Sequence, residues 1–334
     1  MTTTKNALRT VGALALSAAL LATTACTADS AASSEGDAEA VGMGIQPWLG
    51  YGPWYIAQEN GYFTDAGVEV EITNFMNDAD MTAAFAADRI QVANVASHSA
   101  LQFIEQGLDV SIVLLLDASL TADAILSDGS VTDVADLAGQ QVAFEEGSVS
   151  NLLLGYALQE NGLSLDDIEP VPMDPSEAAT ALIGGSVPVA VTYEPYISEA
   201  RSSSPDITEI YTAAENAGLI SDVLVVDNTY LAENGETVQG IVDAWGPSID
   251  FYESDTDAAR AIIAENIGSD VESLDSAFDG VQFFTLEENA TELGGHYLDT
   301  VLPSVDSVAT DIGILTGGTD LPSVVDLTFV GGAE

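Results

Sequence analysis

Short apolar segments alternate with helical segments along most of the chain, and this alternation limits the possible folds more than any other feature. Val110–Leu116 is continuously apolar and rich in β-branched residues, as strands buried inside parallel sheets are. The helical segments Pro53–Asn60 and Ser150–Asn161 are each followed by a glycine, the residue favoured just beyond a helix C-terminus. The alternation predicts an α/β fold with open, mostly parallel sheets and helices on both faces.

The pattern extends over a chain of 334 residues, a length that suits two lobes better than one small domain. Predicted strands cover residues 40–46, 68–75, 91–96, 110–116, 124–127, 141–144, 169–173, 187–192 and 223–226. Beyond the last of these strands, the chain is predicted to be mostly helical, over residues 236–251 and 257–265 and from 286 onward.

The first 25 residues have the pattern of an export signal. Lys5 and Arg9 precede the apolar run Val11–Ala22, which is too short to span a bilayer. The run is followed by Thr-Thr-Ala-Cys, which resembles a lipobox, so Cys26 is predicted to carry a lipid; a plain secretory signal with a bystander cysteine is the alternative. Residues 26–40 are predicted to form a flexible tether, and because Cys26 is the only cysteine, no intrachain disulfide is expected.

The charge of the chain is strongly one-sided. All 54 acidic residues follow the predicted signal. Of the five basic residues, only Arg89, Arg201 and Arg260 follow it, so the net charge of the exported part is 3 − 54 = −51. Such a field excludes nucleic-acid binding through basic patches. It predicts a protein adapted to a saline medium outside the cell, where salt screens the self-repulsion. Attraction of cationic ligands is a second, compatible interpretation.

Three predicted strands lead into turns that carry hydroxyl groups at a helix start. Ligands of open α/β sheets bind beyond the carboxyl ends of the strands, and free backbone N–H groups there suit an anionic or polar ligand group. Ordinary helix capping is the alternative for each turn. The turns are Ser97–Ser99, Glu145–Asn151 and Asp174–Ser176, and the ligand contacts predicted from them are Ser97, Ser99 and Ser148.

Aromatic residues are concentrated in the loop after the first predicted strand. Trp48, Tyr51, Trp54 and Tyr55 fall within eight residues. Trp48 and Tyr51 are predicted either to pack against a ligand or to plug the core, and the sequence favours neither. Trp54 and Tyr55 are predicted to be core residues.

Carboxylates at strand ends form a second group of candidates. Glu194 lies between Tyr193 and Tyr196 at the end of a predicted strand, and Asp117 directly follows the apolar run Val110–Leu116. Asp117, Tyr193 and Glu194 are predicted ligand contacts. For Glu194, capping of a helix or exposure to solvent is the alternative.

Catalytic motifs are absent from the sequence. It contains neither a P-loop nor a nucleophile elbow, and His98 and His296 have no partner at metal-ligand spacing. His98 is interpreted as a residue of the cleft or of the helix start. The sequence therefore predicts no catalytic residue, no metal site and no cofactor.

Five segments of the chain carry a resemblance to a known family. They are WLGYGPWYIAQENGYFTDAGVEVEI (48–72), AAFAADRIQVANVAS (83–97), VADLAGQQVAFEEGS (134–148), VAVTYEPY (189–196) and LPSVVDLTFV (321–330). Through these segments the chain resembles the SsuA/THI5-like (NMT1) family of ABC-transporter substrate-binding proteins, from about Val41 to its end. The resemblance implies a type II periplasmic-binding-protein fold, with two lobes around a ligand cleft.

By this resemblance, residues 41–120 and 222–334 form lobe 1, residues 121–221 form lobe 2, and the hinge crossings lie near 117–122 and 221–223. The resemblance also implies a pocket, built from Trp48, Tyr51, Ser97, Ser99, Asp117, Asp123, Ser148 and Glu194.

The function implied is that of a monomeric solute-binding lipoprotein on the outer face of the cytoplasmic membrane, delivering a small polar solute to an ABC permease and its ATPase. Family ligands include nitrate, sulfonates, taurine and pyrimidine precursors. No basic residue stands at any of the expected pocket positions, so an amine-bearing or zwitterionic solute is favoured over a bare anion. The alternatives are a self-sacrificing enzyme of pyrimidine synthesis with the same fold and a surface module for sensing or adhesion.

Overall fold

A computed structural model describes residues 40–331. The predicted export signal, Cys26 and most of the predicted tether lie outside the described residues. Among the described residues, no helix is both long and apolar enough to cross a membrane.

Eleven strands and twelve α-helices are present in the described part of the chain. The strands are β1 Val41–Ile45, β2 Val70–Asn74, β3 Val92–Ala96, β4 Val110–Ser119, β5 Asp123–Ser127, β6 Gln141–Phe144, β7 Glu169–Pro172, β8 Val189–Tyr193, β9 Thr208–Thr212, β10 Ser221–Asp227 and β11 Val281–Phe283. The helices are α1 Gly52–Asn60, α2 Tyr62–Asp65, α3 Asp78–Ala86, α4 Ser97–Glu105, α5 Val149–Glu160, α6 Pro175–Ile183, α7 Tyr196–Ser203, α8 Asn228–Glu233, α9 Gly235–Ser254, α10 Thr256–Asn266, α11 Leu286–Glu292 and α12 Leu302–Asp311.

Every strand predicted from the sequence is present, with small differences at its ends. The sequence did not predict β9 and β11, because both are sheet-edge strands with a weak apolar pattern. β9 pairs only with β5, and β11 has three residues and pairs only with β4.

The strands form two sheets that share one arrangement of five strands, and the first sheet has β11 as an additional edge strand. The six-stranded sheet has the order β2-β1-β3-β10-β4-β11, and the five-stranded sheet has the order β7-β6-β8-β5-β9. β1 to β4 run in one direction and β6 to β9 do likewise, which confirms the expectation of mostly parallel strands. Only β10 and β11 in the first sheet and β5 in the second run the opposite way. We call the part built on the six-stranded sheet lobe 1 and the part built on the five-stranded sheet lobe 2.

The chain crosses between the lobes twice. β4 leads into β5 through residues 120–122, and β9 leads into β10 through residues 213–220. After the first crossing the chain forms β5, which is antiparallel to both of its neighbours in the sheet of lobe 2. After the second crossing it forms β10, which is antiparallel to its neighbours β3 and β4 in the sheet of lobe 1. These two strands therefore connect the lobes. The crossings adjoin the predicted hinges, and the lobe boundaries at 120/121 and 221/222 stay predictions.

The core of lobe 1 contains the aromatic pair Trp54 and Trp245, whose ring centroids are 4.7 Å apart. Trp54 is fully buried, and its indole N–H donates to Asn94 Oδ1 at 2.6 Å. Tyr55 is buried as well, with its hydroxyl donating to Asn74 Oδ1 at 2.7 Å. The prediction that Trp54 and Tyr55 are core residues is therefore confirmed.

Lobe 2 is buried on both faces of its sheet. Ile125 of β5 packs into one cluster with Val142 and Phe144 of β6, whereas Leu126 and Ala143 pack into a cluster on the opposite face. Successive side chains of a strand alternate between faces, so a strand with two apolar faces must be covered by helices on both sides.

Candidate functional site

The carboxyl ends of β1, β3, β6 and β8 meet where the two lobes face each other, and a small cavity lies there. Its volume is about 20 Å³, which is room for a water molecule but not for an organic solute. Residues of both lobes line it: Gln46, Trp48, Asp123, Val149, Tyr193, Ile220 and Asp222.

The lobes touch each other around this cavity. The Trp48 ring meets the Tyr193 ring edge to face, with centroids 5.8 Å apart at an angle of 84°. The Gly147 carbonyl of lobe 2 accepts hydrogen bonds from His98 Nε2 at 3.2 Å and from Gln102 Nε2 at 3.1 Å, both on α4 of lobe 1. The structure is thus a closed arrangement, and a solute needs the lobes to separate before it can enter.

A larger cavity of about 270 Å³ lies behind the hinge, lined by Leu120, Gly218, Ser221, His296 and Tyr297 among others. We favour the cavity between the lobes as the site, because it lies at the carboxyl ends of the strands and can change with lobe closure.

A tight turn brings the aromatic loop against buried carboxylates. Trp48 Nε1 donates to Asp117 Oδ1 at 3.1 Å, and the Tyr51 hydroxyl donates to Asp222 Oδ1 at 3.0 Å. Gly50 lies between Trp48 and Tyr51 in the chain. A Cβ at this position would clash with both the Trp48 indole nitrogen and the Asp117 carboxylate. Trp48 therefore lines the cavity, while Tyr51 lies behind it and positions Asp222.

Three carboxyl groups are buried beside the cavity: Asp117 is 0% exposed, Asp123 3% and Asp222 4%. Asp117 and Asp222 are direct cross-strand partners in β4 and β10. Burial, and then the charge of Asp222, raises the pKa of Asp117 well above its usual range. Burial raises the pKa of Asp222 to about 7 and that of Asp123 to about 8.

The arginines lie elsewhere in the structure. Arg201 pairs with Glu209 in lobe 2, and Arg260 pairs with Asp279 and stacks on Phe278. Arg89 is exposed on the turn before β3. No arginine described here can therefore neutralise the buried carboxylates, and the exported part of the sequence has no lysine.

The three predicted serines are engaged in internal hydrogen bonds. Ser97 Oγ is 2.9 Å from each of its partners, the Ser221 carbonyl, the Ser221 hydroxyl and the Tyr297 hydroxyl. Ser99 donates to Asp78 Oδ2 at 3.0 Å.

Ser148 begins α5: its hydroxyl accepts from Ser150 N at 3.1 Å and donates to the Glu145 carbonyl at 3.0 Å. This is the capping role that the sequence offered as its alternative. None of the three serines lines the cavity, and a contact with ligand stays a prediction for each.

β8 ends at Tyr193, and Glu194 is the first residue beyond the strand. Tyr193 lines the cavity, whereas Glu194 turns away from it. The Glu194 carboxylate accepts from Ser198 N at 3.0 Å and from Ser198 Oγ at 2.9 Å, which caps the first turn of α7. Burial raises the pKa of Glu194 to about 7. The structure thus favours the capping alternative for Glu194.

Sequence reasoning missed Gln46 and Asp222 in the cavity and Asp78 at the contact between the lobes. Asp222 lies within the predicted hinge, yet nothing local distinguishes it from the other 53 acidic residues. Asp78 begins α3, where its backbone N–H donates to Glu145 Oε1 of lobe 2 at 3.1 Å. Among residues 40–331, no three His, Cys, Asp or Glu side chains are placed to hold a metal ion.

A model of the family described as "NMT1/THI5 like" matches residues 49–259, more than half of the chain. The chain belongs to this family. It is 23% identical over 238 residues to a candidate binding protein of Brucella abortus (strain 2308), covering 70% of this chain and 73% of that protein.

Solved structures share the fold. The periplasmic aliphatic sulphonate binding protein SsuA from Escherichia coli superposes with a TM-score of 0.71 at 19% identity, covering 89% of this chain and 95% of SsuA. The desulfurization enzyme DszB superposes with a TM-score of 0.63 at 15% identity, covering 87% of this chain and 97% of DszB. The predicted family and the predicted periplasmic-binding-protein fold are therefore confirmed, and this fold also occurs in an enzyme.

Proposed function

We propose that this protein is the solute-binding component of an ABC importer, which captures a small polar solute between its lobes and presents the closed form to a permease. The observation that carries the proposal is the cavity itself, because Trp48 lines it from lobe 1 while Asp123 and Tyr193 line it from lobe 2. A solute favours closure only if it contacts both lobes. Membership of the family and the fold shared with SsuA support the proposal.

We further propose that the protein is exported and held at the outer face of the cytoplasmic membrane by a lipid on Cys26. The support is the apolar run that precedes Cys26 and the low-complexity tether that follows it. Its partners are then the solute, a permease with its ATPase, and the membrane. It needs no cofactor and acts as a monomer without catalysis.

The test uses the chain from residue 27 onward in high salt, screened for ligands by thermal shift against amines, betaines, taurine, sulfonates, nitrate and pyrimidines. A ligand that binds only the folded form raises the melting temperature. We expect one solute class to raise it and to decrease the radius of gyration in small-angle X-ray scattering. The Trp48→Ala variant should lose both effects while keeping its circular dichroism spectrum.

The recovered solute separates this proposal from the enzyme alternative. After incubation and denaturation of the protein, mass spectrometry should return the solute unchanged. A chemically altered solute would support an enzyme instead. Binding without any decrease in the radius of gyration would support the sensing or adhesion module.

A further inference from the structure

We propose that the solute carries a positively charged organic ammonium group, which Asp123 and Asp222 bind beside the rings of Trp48 and Tyr193 when the lobes are further apart than in this structure. This inference rests on the proposed function, since it takes the cavity between the lobes as the solute site. It adds the charge and chemical class of the ligand.

The first observation is that no countercharge lies beside the buried carboxylates within residues 40–331. Asp117, Asp123 and Asp222 are almost completely buried, and each arginine in this part of the chain lies elsewhere, paired or exposed. A buried carboxylate is costly unless a cation or hydrogen-bond donors compensate it. In this arrangement of the lobes, the compensating charge must therefore be a proton, which a cationic ligand can replace once the lobes separate far enough to admit it.

The second observation is an unsatisfied oxygen. Asp117 Oδ2 is buried and has no hydrogen-bond partner in the described part of the chain, although Asp117 Oδ1 accepts from Trp48 Nε1. Buried polar atoms in native proteins nearly always have partners, so orphaned atoms of this kind indicate a missing ligand group or water. Asp117 lies beside Asp222, which faces the cavity.

The aromatic rings indicate an organic cation in preference to a metal ion. Trp48 and Tyr193 line the same cavity as the two carboxylates. The faces of such rings attract ammonium groups, and they supply no ligand to a hard metal ion. Within residues 40–331, no three carboxylate, imidazole or thiol groups converge with metal-binding geometry.

Cation binding at this site displaces protons. The carboxyl groups that face one another here hold protons near neutral pH, because burial raises the pKa of Asp222 to about 7 and that of Asp123 to about 8. A bound cation favours their charged forms, so affinity should rise as the pH increases from 6 to 8. Asp123 and Asp222 act on each other, and the other titratable groups that interact with them are Tyr51, Asp78, Asp117, Tyr193, Glu194 and Tyr297.

The experiment is isothermal titration calorimetry of the chain from residue 27 onward, with tetramethylammonium, choline and ethylammonium as probes. The controls are 3,3-dimethylbutanol, which has the shape of choline without its charge, together with ethanesulfonate, nitrate and Zn²⁺. We expect at least one organic cation to bind at least tenfold more tightly than the neutral isostere. Titration at pH 7 in two buffers of different ionisation enthalpy should show proton release.

Matched variants connect the binding to the cavity. Asp222→Asn and Asp123→Asn should each weaken binding of the organic cation by about tenfold or more, as expected for loss of a charged partner. Asp206→Asn, an exposed aspartate of lobe 2, should leave it unchanged. Circular dichroism of each variant checks that it is folded.

Each outcome has a distinct meaning. A sulfonate or nitrate that binds more tightly than every organic cation would overturn this inference but leave the proposed function intact. Binding of Zn²⁺ alone would overturn the organic class. Organic cations that bind equally well to Asp222→Asn would show that the site lies elsewhere. If neither these probes nor the solutes of the thermal-shift screen bind, the proposed function itself is overturned.

Discussion

At the residue scale, the central feature is the pair Asp117 and Asp222, two carboxylates that are direct neighbours in β4 and β10. Each has one aromatic donor: Trp48 for Asp117 and Tyr51 for Asp222. One donor each does not compensate two buried negative charges, and the pKa of both groups is raised in consequence. The pair is suited to exchange a proton for a cation.

The raised pKa values predict how stability depends on pH. At pH values between the usual pKa of aspartate and about 7, Asp222 holds a proton in the folded state that it has lost in the unfolded state. Stability is therefore lost as the pH rises through this range. Without ligand, the melting temperature should fall between pH 5.5 and pH 8.5, and it should fall less for Asp222→Asn. Asp206→Asn should retain the wild-type slope, and equal slopes for all three proteins would contradict the prediction.

Gly50 offers a second test at the residue scale. In Gly50→Ala, the added Cβ would clash with the Trp48 indole nitrogen and the Asp117 carboxylate, so the hydrogen bond between them should be lost. We expect a loss of about 1–3 kcal/mol in the free energy of unfolding, as for other overpacked sites. Urea denaturation followed by tryptophan fluorescence measures it.

Gly235→Ala is the matched control, because its Cβ would meet no atom within 4 Å. It should be neutral or slightly stabilising, since alanine suits a helix better than glycine does. Equal effects of the two substitutions would show that the close approach at Gly50 has no energetic role.

At the element scale, a side chain completes the hydrogen bonding of the longest strand. The pairing of β4 with β10 shifts register on either side of Leu115. At Leu115, the side chain of Asn289 in α11 makes hydrogen bonds that a neighbouring strand would otherwise make. Its side chain accepts from Leu115 N at 2.7 Å and donates to the Leu115 carbonyl at 2.8 Å. Asn289 is completely buried. It therefore fixes α11 to β4, the strand that leads into the first crossing between the lobes.

Replacement of Asn289 by leucine should be strongly destabilising. It removes the amide and leaves two buried backbone groups of Leu115 without a partner, which costs about 2–4 kcal/mol in total. Urea denaturation measures the change in free energy. Asn266→Leu is the control, because its amide is exposed and makes one local bond to the Ile262 carbonyl at 2.9 Å. A loss below 1 kcal/mol for Asn289→Leu would indicate that water replaces the amide.

At the scale of the whole molecule, net charge dominates. The exported part carries 3 − 54 = −51 charges, and most of its carboxylates are on the surface. Their mutual repulsion weakens the compact state, and salt screens it over a distance that falls from about 10 Å at 0.1 M to about 3 Å at 1 M. Adaptation to a saline medium is our proposal for the origin of this charge.

This charge predicts a marked response to salt. The melting temperature of the ligand-free protein should rise between 0.05 and 1 M NaCl, with most of the rise below 0.5 M, where the screening length changes most. A neutral osmolyte at equal osmolality serves as the control, because it does not screen charge. A melting temperature that follows the osmolyte and not the salt would contradict the prediction.

The sequence by itself determined the fold class of the protein and most of its order of elements. Apolar strands such as Val110–Leu116 and helix ends at glycine are local signals, so they do not depend on distant contacts. The sequence and the family resemblance also predicted Trp48, Asp123 and Tyr193 as ligand contacts, and all three line the cavity. Each follows or begins a strand at the edge of the sheet where ligands bind, and a contact with ligand stays a prediction for each.

Only the tertiary structure decided the pairing of distant residues. Asp117 and Asp222 are 105 positions apart (222 − 117), and they meet because β10 returns from lobe 2 to insert between β3 and β4. Glu194 stands one residue beyond Tyr193, yet it turns toward Ser198 and caps a helix. Strand register and side-chain direction arise from packing of the whole lobe, which no local pattern encodes.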